Sequence, residues 1–116
     1  VILPGWVPEE DLPYIYNGAA LFVLPSFYEG FGIPLLQSMA CGVPIAASDV
    51  ASIPEVVDGS ALLFDPSDIK SMADVMAKII KNDDVRNELI RNGLERIKDF
   101  SWKKCARETL DEIEKL

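Results

Sequence analysis

The sequence contains no histidine. A histidine general base, a Ser-His-Asp triad and every histidine-ligated metal site are therefore excluded on this chain. Cysteine is scarce: Cys41 and Cys105 form neither a CxxC pair nor a disulfide framework, so a reducing, cytoplasmic compartment is expected. No apolar run reaches the roughly 18 residues of a membrane span, and the first residues lack the basic start of a signal peptide. Cations are missing from an entire region. Residues 1–69 hold nine acids and no Lys or Arg, a net −9, whereas residues 70–116 hold all 11 basic side chains and a net +1. No basic stripe suits nucleic acid.

What is present describes a globular chain. Of its 116 residues 49% are hydrophobic and 26% charged, enough to bury one core and too apolar for disorder. Val1-Ile2-Leu3, ended by Pro4-Gly5, reads as the tail of a buried strand. A helix follows the acids after Pro8 and runs to Asn17-Gly18. Ala20 to Leu24 is a continuous apolar run closed by Pro25, the pattern of a strand buried on both faces of a parallel sheet. Pro34 opens a helix through Cys41, ended by Gly42. Pro44–Ala47 and Ala61–Phe64 read as strands, with one or two helical turns at Ile53–Val57 between them. From Ser67 the pattern is helical. Ile69, Met72, Met76, Ile79 and Ile80 mark one stripe, and Val85, Leu89, Ile90, Leu94 and Ile97 a second. Ser101 caps a last helix with Trp102, Ala106, Leu110 and Ile113 inward, Trp102 anchoring it against the sheet. The expected fold is α/β: a partial Rossmann-like parallel sheet of about four strands with three C-terminal helices.

The chemistry-bearing stretch runs from Pro25 to Pro44. It follows the carboxyl end of a buried strand and enters a helix N-terminus, where open α/β sheets bind ligands. Gly30 and Gly32 leave the backbone bare, so a ligand can approach the N–H groups of an anion site. Glu29 beside them is a carboxylate able to accept from hydroxyls. Gln37 stands one helical turn above Ile33. An anion site beside a hydroxyl-binding carboxylate suits a nucleotide-sugar better than a bare phosphate. The third glycine of GxGxxG is missing, and no Lys follows as in a P-loop. Taken alone, such a turn occurs in any doubly wound domain, and Glu29 alone reads as a solvated loop residue. Met39 and Cys41 read as core, and Phe27 and Tyr28 as packing or site in equal measure.

Tyr28-Glu29-Gly30-Phe31-Gly32-Ile33-Pro34 followed by Leu36-Gln37-Ser38-Met39-Ala40-Cys41-Gly42-Val43-Pro44-Ile45 resembles the retaining nucleotide-sugar glycosyltransferases of family 4, the group 1 glycosyltransferases. Gly5-Trp6-Val7-Pro8, Ala47-Ser48-Asp49-Val50, Ile53-Pro54-Glu55-Val56-Val57 and Phe100-Ser101-Trp102 extend the resemblance in order along essentially the whole chain. It implies GT-B architecture, two Rossmann-like domains across a cleft, with residues 1–116 as a partial C-terminal donor-binding domain and the N-terminal acceptor domain missing. It implies Glu29 at the donor sugar and the amides of Gly30, Phe31, Gly32 and Ile33 at sugar and diphosphate. Trp6 and Val7 would lie near the base. The second family glutamate is Gln37 here, which keeps an acceptor for ribose hydroxyls and loses the charge. The partner is a nucleotide-diphosphate sugar, a substrate; no metal or other cofactor is implied. The resemblance also allows peripheral association of a full-length protein with the inner face of the membrane. An Arg and a Lys that the family places on the diphosphate would lie upstream of Val1.

The residues leave an alternative, a non-catalytic nucleotide-sugar or protein-binding module, consistent with the neutral Gln37. A GT-B-like sugar epimerase fits less well, because such enzymes rely on histidine. The shortened sheet carries a further expectation: Val1–Leu3 lacks a partner and the strand at 20–24 is an exposed edge.

Overall fold

A computed structural model describes all 116 residues. A 3-10 turn at Glu9–Asp11 leads into α1 (Leu12–Gly18), then β1 (Phe22–Leu24), α2 (Ile33–Ala40), β2 (Ile45–Ser48), α3 (Ile53–Val57) and β3 (Ala61–Phe64). Three longer helices follow: α4 (Ile69–Lys81), α5 (Asp83–Arg96) and α6 (Trp102–Glu114), with a 3-10 turn at Ile97–Asp99 before the last. No helix is long and apolar enough to cross a membrane.

The sheet is parallel, in the order β1-β2-β3. Phe22 pairs with Ile45 and Leu24 with Ala47, while Ile45 pairs with Ala61 and Ser48 with Phe64. Only the middle strand has neighbours on both sides, and all four residues of β2 are buried. Side chains alternate along it. Ile45 and Ala47 enter one core with Leu35, Met39, Ile53, Val56 and Val57, and Ala46 enters the other with Phe64, Ile79 and Leu89. Both crossover helices, α2 and α3, lie on the first face, as crossovers of one hand running in one direction require, and α4 and α5 cover the second. Full burial of a side chain such as Leu35 or Ile79 contributes about 1.5–3 kcal/mol.

Helix ends follow the punctuation in the sequence. α2 closes in a Schellman motif: Gly42 is left-handed at φ 65°, its N–H reaches the Met39 carbonyl at 3.0 Å, and the Val43 N–H reaches that of Ser38 at 3.0 Å. The Asp68 carboxylate caps α4 through the amides of Lys70 and Ser71. The Ser101 hydroxyl accepts from the Lys104 amide, as expected of a cap.

Four expectations need correction. Val1–Leu3 is not a strand: no strand lies beside it, and all three residues are fully exposed, so the sheet has three strands rather than about four. Its backbone groups have no partner that would hold them extended. β1 is half-buried, because it is the edge of the sheet. α6 has no buried residue, and Trp102 is 81% exposed, so the apolar side of this helix does not pack on the sheet. Ile69 also faces outward, whereas Met39 is buried as expected and Cys41 only half so.

Candidate donor site

The candidate site is the loop between β1 and α2, at the carboxyl end of the sheet. Two serines on neighbouring elements pin it. The Ser48 hydroxyl, at the end of β2, donates to the Leu24 carbonyl at 3.2 Å, where the loop departs. The Ser52 hydroxyl, just before α3, donates to the Glu29 carbonyl at 2.9 Å. Within the loop, the Ser26 hydroxyl donates to Glu29 Oε1 at 2.8 Å. Glu29 is thus held at its main chain and its carboxylate, with one carboxylate oxygen free of that bond. This restriction lowers the entropy cost of presenting the carboxylate to a ligand.

Gly32 makes the turn into α2. It is left-handed (φ 89°, ψ 55°), buried, and caps the helix without a side chain. A Cβ there would stand 2.9 Å from Leu35 Cδ1, so glycine is demanded by both torsion and space. The amides of Gly30, Phe31, Gly32 and Ile33 donate to no backbone oxygen. The first three lie on the loop and Ile33 opens the eight-residue helix α2, whose dipole places roughly half a positive charge at this end. No cationic side chain lies on the loop, as the sequence requires.

Gln37 lies on α2 above Ile33 but is engaged elsewhere. The Tyr16 phenol of α1 donates to its Oε1 at 3.1 Å. Burial, and secondarily the nearby Cys41 side chain, holds the Tyr16 phenol above its ordinary value. Gln37 therefore lines a cleft with Tyr16, Leu12, Glu9 and Trp102. A second, apolar cleft of 410 Å³ also borders Trp102 and is lined by Phe31, Ile33, Leu36, Ile97 and Phe100. Glu29 and residues 30–33 are gathered by one turn, and Gln37 is one helical turn on. Trp6 is 85% exposed and Val7 half-buried, in the coil before the first 3-10 turn. Phe27 and Tyr28 are exposed at 73% and 78%, which removes the packing role considered for them. No three His, Cys, Asp or Glu side chains converge as a metal site.

Sequence reasoning missed Ser48, Ser52 and Tyr16. Ser48 closes β2, and its acceptor is set by strand pairing 24 residues away, which no local pattern specifies. Nothing local marks the Tyr16–Gln37 bond.

Residues 1–96 match the family model described as glycosyl transferases group 1. The chain belongs to this family. Among curated relatives, it is 45% identical over 107 residues to O-antigen chain mannosyltransferase B of Escherichia coli, covering 92% of this chain and 28% of the relative. It is 34% identical over its whole length to the serotype-specific mannosyltransferase WbdA of E. coli, of which it spans 14%. In solved structures it resembles sucrose-phosphate synthase from Thermosynechococcus elongatus, with a TM-score of 0.85, 31% identity, and coverage of 96% of this chain and 29% of that one. The chain thus spans less than a third of the length of these relatives. Its fold, a parallel three-stranded sheet with flanking helices, is similar to the GT-B glycosyltransferase fold.

Proposed function

We propose that this group 1 domain binds the nucleotide-diphosphate sugar of a retaining, family 4 glycosyltransferase. The observation that carries the reading is the pinned Glu29 carboxylate beside four backbone amides without a backbone acceptor, at the N-terminus of α2. The amides of Phe31, Gly32 and Ile33 meet the diphosphate and the sugar, and Glu29 accepts hydrogen bonds from sugar hydroxyls. Gln37 accepts from a ribose hydroxyl while Tyr16 occupies one of its oxygen lone pairs. Trp6 and Val7 lie toward the base.

In the reaction, the bond between the anomeric carbon and the diphosphate oxygen breaks, and an acceptor hydroxyl bonds to that carbon on the same face. The acceptor proton leaves to the departing phosphate. Charge develops on the diphosphate, which the α2 amides and dipole stabilise. Cationic side chains and the acceptor-binding domain come from residues other than these 116. The mannosyltransferase names of the relatives make mannosyl the first donor class to test.

Calorimetric titration of the chain with a panel of nucleoside-diphosphate sugars tests the reading. Saturable binding that Glu29→Ala weakens and that free nucleoside diphosphate displaces is expected, with no sugar transfer by the chain alone. Absence of binding across the panel overturns it, and turnover by the isolated chain overturns the expected inactivity alone. For an active longer protein, the anomeric configuration of the product, read by NMR, reports retention. Binding without transfer in that protein would favour a non-catalytic module.

A further inference from the structure

Arg96 is the most heavily engaged cation in the molecule, and it belongs to no part of the donor loop. Its Nε donates to the Val56 carbonyl at 3.0 Å and its Nη2 to the Glu55 carbonyl at 2.9 Å, near the end of α3. Its Nη1 pairs with Asp99 at 2.9 Å. Three acceptors on two segments fix the guanidinium plane. The Arg96 Cζ lies over the Phe100 ring, 4.7 Å from the centroid. Phe100 in turn meets Phe31 edge to face, with centroids 5.8 Å apart and planes at 78°. Phe31 stands between Gly30 and Gly32, and its flanking glycines give it no steric support of its own.

We infer that Arg96 is a positioning residue for the donor loop, acting through Phe100 on Phe31. A ring that is 43% exposed, on a loop between two glycines, needs an external brace to hold one conformation. Phe100 supplies the edge contact, and Arg96 holds Phe100 by a cation–π contact whose geometry its three hydrogen bonds fix. The same guanidinium satisfies α3 carbonyls, and α3 follows the Ser52 that holds Glu29. The fork thus ties both supports of the loop, main chain and ring, to one side chain. Lysine, a single point charge on a flexible stem, lacks the planar fork that reaches both carbonyls and Asp99 while standing over a ring. The inference's bearing on donor affinity rests on the donor-site reading; its bearing on loop order does not.

The test uses the whole chain with Arg96→Lys and Phe100→Leu, and reads two quantities. Backbone order parameters of Gly30, Phe31 and Gly32 should fall from about 0.85 toward about 0.6 in both variants. Nucleoside-diphosphate sugar affinity should weaken by roughly tenfold, the equivalent of one lost charge-assisted contact. The double variant should weaken it little beyond either single one, since both act on the same ring. Unchanged order parameters in both variants overturn the inference, even where Arg96→Lys lowers the melting temperature, because that is a structural role alone. Phe100→Leu leaves the bonds of Arg96 to α3 in place, so it keeps the test open if Arg96→Lys unfolds. If the wild-type chain binds no donor, the donor reading fails, and the order parameters still decide the brace.

Discussion

Gly32→Ala is the most direct probe of how the donor loop is built. Two costs add at this position. An alanine must hold φ 89° and ψ 55°, in the left-handed region, at about 1–2 kcal/mol. Its methyl would also lie 2.9 Å from Leu35 Cδ1, 3.5 Å from Leu35 Cγ and 3.8 Å from Leu24 Cδ2. Leu35 is completely buried, so its Cδ1 cannot swing aside without moving the core, and overpacking of this kind costs about 1–3 kcal/mol. The total is roughly 2–5 kcal/mol, against a stability on the order of 5–15 kcal/mol for a domain. In urea, with a slope of about 1.5 kcal/mol per molar, the midpoint should drop by about 1–3 M. Gly30→Ala is the control: its added Cβ meets nothing within 4 Å, and its φ is not positive. Its midpoint should change by no more than about 0.5 kcal/mol in equivalent energy. Equal midpoints for the two variants would refute the argument that torsion and contact both demand glycine at position 32.

Four further outcomes are expected. Glu29→Ala should weaken donor binding by about 10-fold or more, as loss of a charge-assisted acceptor does, and Gln37→Ala by only about 2- to 10-fold; equal losses by calorimetry would count against the assigned roles. Gln37→Glu should tighten binding, since the acceptor that Tyr16 already holds in place gains a charge, and an unchanged affinity removes the ribose assignment. The Tyr16 phenol is held above 10.0 by burial first and Cys41 second, so the folded state keeps its proton more tightly than the unfolded state; that contribution to stability is complete below pH 10.0 and is lost as pH rises through the higher folded value. Urea midpoints at about pH 9 and about pH 11 should therefore fall less in Tyr16→Phe than in the wild type, and parallel profiles would contradict the assignment. Trp102→Ala should change stability by less than about 0.5 kcal/mol, because the ring is 81% exposed; a loss of several kcal/mol would mean that it anchors α6 after all.

Much of this architecture is legible from local signals. Gly42 marks the end of α2 because only a left-handed residue completes its Schellman motif. Ser101 marks the start of α6 through its own hydroxyl. The alternation of apolar runs with helical stripes is enough for a parallel α/β sheet, and the two glycines and Pro34 mark the βα turn. These features depend on torsions and neighbours a few residues apart. Val1–Leu3 shows the limit: its composition is that of a strand, but a strand exists only when a partner bonds its backbone, and none lies beside it. Trp102, Leu110 and Ile113 show the same limit on a helix, where periodicity specifies a face without specifying what covers it.

The sequence by itself determined that residues 1–69 contribute no cation, so their own part of any phosphate site consists of backbone amides and a helix dipole. It also determined where glycine frees those amides. Only the tertiary structure decided how they are held. Ser48, Ser52 and Arg96 reach the loop or its supports across 24, 23 and 40 residues of chain. The one cation that comes to α3 from the second half is consumed by carbonyls and a ring rather than offered to a ligand. The reason is physical: a hydrogen-bond partner is selected by distance and direction in the folded chain, and neither is written in sequence separation.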